Sequence, residues 1–266
     1  MPKVTANGIK IHYEERGEGD PLILIMGLGA DGSLWEDHRK SYEKHFRCIM
    51  MDNRGSGQSD KPNGPYTTRM MAEDTAGLMD ALGIEKAHVN GISMGGAIAQ
   101  MLALEYPEKV RSLVLVSTWA RCDTYAKVVF DHFRSVRPRI EPKEFMQLLQ
   151  LWIFAAPYYQ KHQEDLIQGQ QDAQDNKDAL MPDHAFDAQC EACINHDTLH
   201  RLGDIIAPTL ITIGDADIFT PFHFSQTLHD GISGSEMLVF KDCGHAHHWE
   251  DLLEFNSKTT GFLLKH

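Results

Sequence analysis

The chain has 266 residues, a formal net charge of −13 and 42% hydrophobic residues, with 25 Lys and Arg against 38 Asp and Glu. That acidity argues against nucleic acid and anionic membrane surfaces as partners. No stretch approaches the roughly 20 apolar residues of a membrane span, and Met1-Pro2-Lys3-Val4-Thr5 lacks a signal-peptide pattern, so a cytoplasmic location is expected.

In chain order, Val4-Thr5-Ala6 and Ile9 to Tyr13 flank Asn7-Gly8, a hairpin signal. Leu22 to Met26 is a buried apolar run, followed by Gly27-Leu28-Gly29. Cys48 to Met51 predicts the next strand, ending in Asp52-Asn53-Arg54-Gly55. A helical pattern covers Thr68 to Leu82 and stops at Gly83. His88 to Ile92 reads as a strand running into Ser93, with a helix over Ala97 to Tyr106. Leu113 to Val116, Leu210 to Ile213 and Met237 to Phe240 are further strands, Pro221 opens a helix after the second of these, and Trp249 to Leu264 predicts a closing helix. Alternating strands and helices imply an α/β class with a mostly parallel sheet flanked by helices.

Residues 121–200 break this rhythm. Phe145, Leu148, Leu149 and Trp152 fall at helical spacing, and no strand pattern intervenes. The expected division is a core of residues 1–120 and 201–266 with a helical lid of residues 121–200 over the strand ends, where open α/β sheets bind ligands. Arg134, Arg137 and Arg139 in that stretch read as a solvated surface, with a role in meeting an anionic substrate as the alternative.

Five scattered cysteines do not suggest a disulfide framework. Cys190, Cys193 and His196 have ligand-like spacing on one helix, but no fourth ligand accompanies them. His245, His247 and His248 likewise lack further ligands, so neither a metal nor an organic cofactor is expected.

Gly91-Ile92-Ser93-Met94-Gly95 is the stretch that carries chemistry. A serine on a sharp strand-to-helix turn is lifted clear of the sheet, and small residues two places either side let the chains pass. A hydroxyl needs a base to become a nucleophile. His245, in the loop after the last core strand, is at the right sheet edge. The base needs a carboxylate, for which Asp217 is preferred to Asp215, the latter bracing its loop. Backbone N–H groups of Leu28 and Met94 are the expected oxyanion hole. Trp119, Trp152 and Phe154 are the candidate substrate-binding residues.

These pieces together resemble the α/β-hydrolase family over nearly the whole chain, in the order Ser, Asp, His. The matching runs are Gly27-Leu28-Gly29, Asp52 to Asp60, Gly91 to Gly95, Gly214 to Asp217 and Gly244-His245. Within it, the chain is most similar to small lidded esterases and lactonases, including enol-lactonases, acyl-homoserine lactonases and haloperoxidase-like esterases. The resemblance implies the α/β-hydrolase fold and an ester or lactone hydrolase acting on a small, largely apolar molecule, with Arg54 structural. Met26 stands where many members have histidine, which weakens the loop match. Carbon–carbon bond hydrolysis, perhydrolase or haloperoxidase activity, and a slow ligand receptor remain alternatives on the same fold. A homodimer is left open.

Overall fold

The computed structural model describes residues 2–177 and 180–266. Eight strands form one sheet: β1 (Lys3–Ala6), β2 (Ile9–Arg16), β3 (Asp20–Ile25), β4 (Phe46–Met51), β5 (Ala87–Ile92), β6 (Val110–Val116), β7 (Thr209–Gly214) and β8 (Glu236–Phe240). Their spatial order is β1-β2-β4-β3-β5-β6-β7-β8. The β1–β2 and β2–β4 pairs are antiparallel, and all others are parallel. The Asn7-Gly8 turn has φ of 46° and 78°, the left-handed pair that a two-residue hairpin requires.

The central strands are apolar throughout because both faces of a parallel sheet are covered. Successive side chains alternate between the faces, which splits each run between two cores. Ile23, Ile25, Leu113 and Leu115 enter one core. Leu22, Leu24, Val114 and Val116 enter the other. The first core is closed by α2 (Thr68–Ala81) and α3 (Met94–Glu105), the second by α1 (Glu36–Tyr42) and α11 (Leu252–Leu263).

Between β6 and β7 the chain forms helices α4 (Thr124–Val136), α5 (Pro142–Ile153), α6 (Ala156–Lys161), α7 (Gln163–Asp175) and α8 (Asp183–Ile194), with no named strand among the described residues. Asp123 caps α4 by accepting from the Ala126 N–H at 2.8 Å. The insertion is closed at its base by the Arg121–Asp197 bridge and by the Thr198 N–H donating to the Ala120 carbonyl at 2.8 Å. After β7 come α9 (Phe222–Gly231) and, past β8, α10 (His247–Glu250).

Two helix boundaries differ from the sequence expectation. α3 starts at Met94, three residues earlier than Ala97, because the chain enters it directly from Ser93. The closing helix is two segments broken at Asp251, whose φ of −127° and ψ of 60° leave the helical region; its side chain then caps α11 by accepting from the Glu254 N–H.

Arg54 is tied into the core side of its turn. Its Nε and Nη2 donate to the two carboxylate oxygens of Asp74, each at 2.5 Å, and both side chains are buried. Removing one partner of such a pair strands a buried charge. Asp74→Ala is therefore expected to cost about 3–5 kcal/mol of stability. Urea unfolding of the variant beside wild type checks this, and a loss below about 1 kcal/mol would contradict it.

Candidate active site

Ser93 holds φ 55° and ψ −116°, a strained conformation for a residue with a side chain. Its backbone is pinned on both sides. The Ser93 N–H donates to the Val116 carbonyl at 2.8 Å, and the Thr118 hydroxyl donates to the Ser93 carbonyl at 2.8 Å. The flanking glycines explain themselves by contact. A Cβ on Gly91 would lie 2.3 Å from the Gly95 carbonyl oxygen, and one on Gly95 would lie 2.2 Å from the Ile25 oxygen. No larger residue fits either place. The loop after β3 passes against the serine, since a Cβ on Gly27 would lie 3.2 Å from Ser93 Cβ.

The loops after β7 and β8 bring Asp217 to His245. The Asp217 Oδ2 accepts from His245 Nδ1–H at 2.9 Å, and both residues are buried. Asp217 Oδ1 accepts from the Phe219 and Thr220 N–H groups, each at 2.8 Å. An imidazole that donates from Nδ1 in this way has Nε2 as its other ring nitrogen, on the side away from the carboxylate. Asp215 instead braces the two loops, its Oδ1 accepting from the Asp242 N–H at 2.7 Å.

Sequence reasoning missed Thr220. Its hydroxyl lies 2.8 Å from Asp217 Oδ2 and 3.0 Å from His245 Nδ1, so it touches both members of the pair. Ser117 was missed too. Its φ is 45°, its carbonyl accepts from Thr220, and its hydroxyl donates to the His245 carbonyl at 2.9 Å. A threonine three residues after a loop aspartate is a turn signal that points to the first of these. Nothing local marks the second.

Ser93 and His245 share the wall of a cavity of about 710 Å³, within the range of small-molecule sites. The rest of the wall is largely apolar, with Leu149, Ile153, Phe154, Met181, Phe186 and Phe219 among its residues. Leu28 lines it; Met94 is fully buried as the first residue of α3. Of the three aromatic candidates, Phe154 alone lies on the cavity wall. Trp119 is fully buried behind it, with its ring 5.4 Å from Phe130. Trp152 packs on Phe133 and Phe219 at 6.0 and 6.5 Å instead of lining the space. Both placements share a cause. A tryptophan just past a strand, or on an amphipathic face, serves the core when that face packs inward.

Arg137 is not the solvated residue its sequence neighbourhood suggests. It lines the cavity, pairs with Asp183 and the Met181 carbonyl, and its guanidinium carbon lies 4.8 Å from the Phe186 ring centre. Burial lowers its pKa, with the Asp183 carboxylate opposing. Arg134 does stay near the surface, on Asp131 and Asp187.

The insertion is fastened to the His245 loop. The Ala246 N–H donates to the Ile153 carbonyl at 2.8 Å, and the Glu250 carboxylate accepts from the N–H groups of Gly244 at 2.9 Å and Ala155 at 3.1 Å. Burial raises the Glu250 pKa, partly countered by those two N–H groups.

The remaining ligand-like groups have other partners. His247 sits between the Ser117 and Thr212 hydroxyls, and His196 between those of Thr68 and Thr198. Burial drives the Cys190 and Cys193 thiols upward from their ordinary pKa. Among the described residues, no helix is long and apolar enough to cross a membrane.

The family model described as alpha/beta hydrolase fold matches residues 20–252. The 2-hydroxy-6-oxo-6-phenylhexa-2,4-dienoate hydrolase of Comamonas testosteroni is 32% identical, over 95% of this chain and 91% of that one. The structure of an enol-lactonase from Burkholderia xenovorans LB400 superposes with a TM-score of 0.90 at 26% identity, covering 99% of this chain and 100% of that one. A thermophilic esterase from Thermogutta terrifontis superposes with a TM-score of 0.88 at 26% identity, covering 100% and 99%.

Proposed function

Since the chain belongs to the α/β-hydrolase family, we propose that it cleaves carboxylic ester or lactone bonds of a small, largely apolar molecule through an acyl-enzyme on Ser93. The observation that carries this reading is one arrangement. A strained, glycine-flanked serine shares a mostly apolar cavity with a histidine whose far nitrogen is held by a buried aspartate. Resemblance to an enol-lactonase and an esterase supports the bond type.

In this mechanism Ser93 Oγ attacks the carbonyl carbon while His245 Nε2 takes its proton. The Asp217 carboxylate stabilises the imidazolium and holds its orientation. Charge develops on the carbonyl oxygen, where the N–H groups of Leu28 and Met94 donate. The positive end of α3 adds to this, since helical amides at an N-terminus have no partner within the helix. His245 then protonates the leaving alkoxide. Water, deprotonated by His245, attacks the acyl carbon and releases the acid, with the proton returning to Ser93. No metal or cofactor enters any step. Residues 121–200 act as the lid over this chemistry, on a core of residues 1–120 and 201–266. Phe154 is the one of the three sequence candidates that meets substrate, beside Phe145 and Phe186 of the same lid.

A second reading has one specific support. The Comamonas testosteroni relative is named for hydrolysing a dienoate, so carbon–carbon bond cleavage with the same three side chains competes with ester cleavage. A pH-stat panel decides between them: short and medium esters, simple lactones, acyl-homoserine lactones, enol-lactones and vinylogous diketones. Fastest acid release from an ester or lactone is the expected result. A diketone cleaved faster than every ester and lactone would replace this reading with the second.

A further inference from the structure

Behind the base loop a short chain of hydrogen bonds runs from the protein interior to the cavity wall. Asn256, on α11, places Oδ1 2.8 Å from His38 Nδ1. His38, on α1, places Nε2 3.1 Å from His248 Nδ1. His248, on α10, lines the cavity together with Leu34 and Trp249. His38 is fully buried and His248 only 2% exposed.

The chain can hold its protons in one way only. An amide oxygen accepts and cannot donate, so His38 Nδ1 carries a proton. Burial keeps His38 neutral at pH 7, its pKa pulled down to about 4. Its Nε2 is then a lone pair that accepts from His248 Nδ1–H. Burial, with the neighbouring histidines adding to it, also holds the His248 pKa well below its ordinary value. The nitrogen left over on His248 is therefore an unprotonated Nε2. It sits on the ring edge opposite the one turned toward His38. Among the described residues it has no protein hydrogen-bond partner, and it is not one of the nitrogens sealed away inside the protein, as His12 Nε2 is.

We propose that His248 Nε2 is a substrate-recognition acceptor: it takes a hydrogen bond from an N–H or O–H group of the substrate, and Asn256 and His38 are positioning residues that set its tautomer. The inference rests on the cavity being the ester-cleaving site and adds a substrate class to it: esters, lactones or carbamates that carry a donor near the scissile carbonyl. An unpaired lone pair in an apolar wall loses its hydration when a donor-free substrate displaces water, and a donor restores what is lost. The same lone pair repels a carbonyl or carboxylate oxygen placed there, so discrimination works in both directions.

The test compares substrate pairs that differ by one hydrogen-bond donor on the intact enzyme. Phenyl carbamate and phenyl acetate differ by NH₂ for CH₃. Ethyl 2- and 3-hydroxybutyrate are set against ethyl butyrate. The quantity read is the ratio of kcat/KM within each pair. His248→Leu is expected to lower that ratio for at least one pair by about tenfold, the worth of one ordinary hydrogen bond at the upper end. His248→Gln, which restores an acceptor oxygen, is expected to recover most of it. Unchanged ratios in His248→Leu for all pairs would overturn the proposal. Ser93→Ala runs in parallel: if it retains activity, the reading of the site fails, whereas lost activity with unchanged His248 ratios sinks the acceptor alone. A measurement on the wild-type protein needs neither folding variants nor turnover. In ¹⁵N NMR of histidine-labelled enzyme at pH 7, the His248 signals should be those of a protonated Nδ1 and a bare Nε2. A protonated Nε2 overturns the proposal whatever the kinetics give.

Discussion

Ser93→Ala is expected to lower kcat for the best ester or lactone by about 10⁶-fold, the loss measured for serine nucleophiles in comparable triads. The size follows from the mechanism. On the proposed mechanism no acyl-enzyme forms without Oγ, and what remains is water attacking a carbonyl held by the proposed Leu28 and Met94 N–H donors. The fold should survive. The hydrogen bonds that hold residue 93 use its N–H and its carbonyl, and alanine keeps both. The left-handed φ of 55° costs an alanine no more than a serine, because each carries one Cβ. Melting temperatures of the two proteins should thus agree within a few degrees while turnover collapses. The measurement is pH-stat acid release at saturating substrate, with calorimetry on the same samples. A variant keeping even a tenth of wild-type turnover would end the serine mechanism.

The second large effect is acid unfolding. Burial pulls the imidazoles of His38, His88 and His196 down to about 4 and His247 to about 3, with His248 well below its ordinary value. All five are neutral in the folded chain at pH 6. In the unfolded chain they return to about 6.5 and take up protons below it. The unfolded state then binds more protons, so these groups contribute stability that is complete above pH 6.5 and falls as pH drops toward 4. Five protons correspond to an ideal slope of about 7 kcal/mol per pH unit within that window. A domain stability of about 5–15 kcal/mol is used up within one to two units at that slope. The net charge of −13 works in the opposite direction, since it shrinks as the pH nears 5.5 and self-repulsion relaxes. Cooperative unfolding is expected with a midpoint near pH 5 and uptake of four to five protons, followed by tryptophan fluorescence and by the pH dependence of urea midpoints. A protein that stays folded through pH 4, or unfolds with uptake of fewer than two protons, would show that these rings are not held neutral by burial.

How much of the molecule is legible in its sequence depends on the range of the signal. All eight strands have local signatures, because a fully covered parallel strand is an unbroken apolar run and the hairpin carries Asn-Gly at its turn. The elbow is legible for the same reason: Gly91, Ser93 and Gly95 obey a steric rule contained within five residues. Asp217 and His245 are placed by their positions after β7 and β8, where strand order decides which sheet edge a loop occupies. The expected assignment of Asp215 to bracing matches its bond to Asp242.

What stays hidden is information held between distant segments. Trp119, Trp152 and Phe154 are alike as sequence, and their fates differ because α4, α5 and β6 pack in one particular way. Arg137 looks like its neighbours Arg134 and Arg139 until α8 brings Asp183 and Phe186 against it. His248 reads as a packing residue beside His245. The wall it forms with Leu34, and the tautomer that His38 and Asn256 impose on it, join residues 38, 248 and 256 from opposite ends of the chain. The sequence by itself thus determined the class of sheet, the turn that strains the serine and the sheet edge that Ser93, Asp217 and His245 share, since each follows from alternation, sterics or strand order over a few residues. The tertiary structure alone decided which of the three candidate aromatics lines the cavity, which arginine of the insertion joins that wall and which histidine beside His245 does. Those properties are contacts, and a contact between residues two hundred places apart leaves no mark on either one's neighbours.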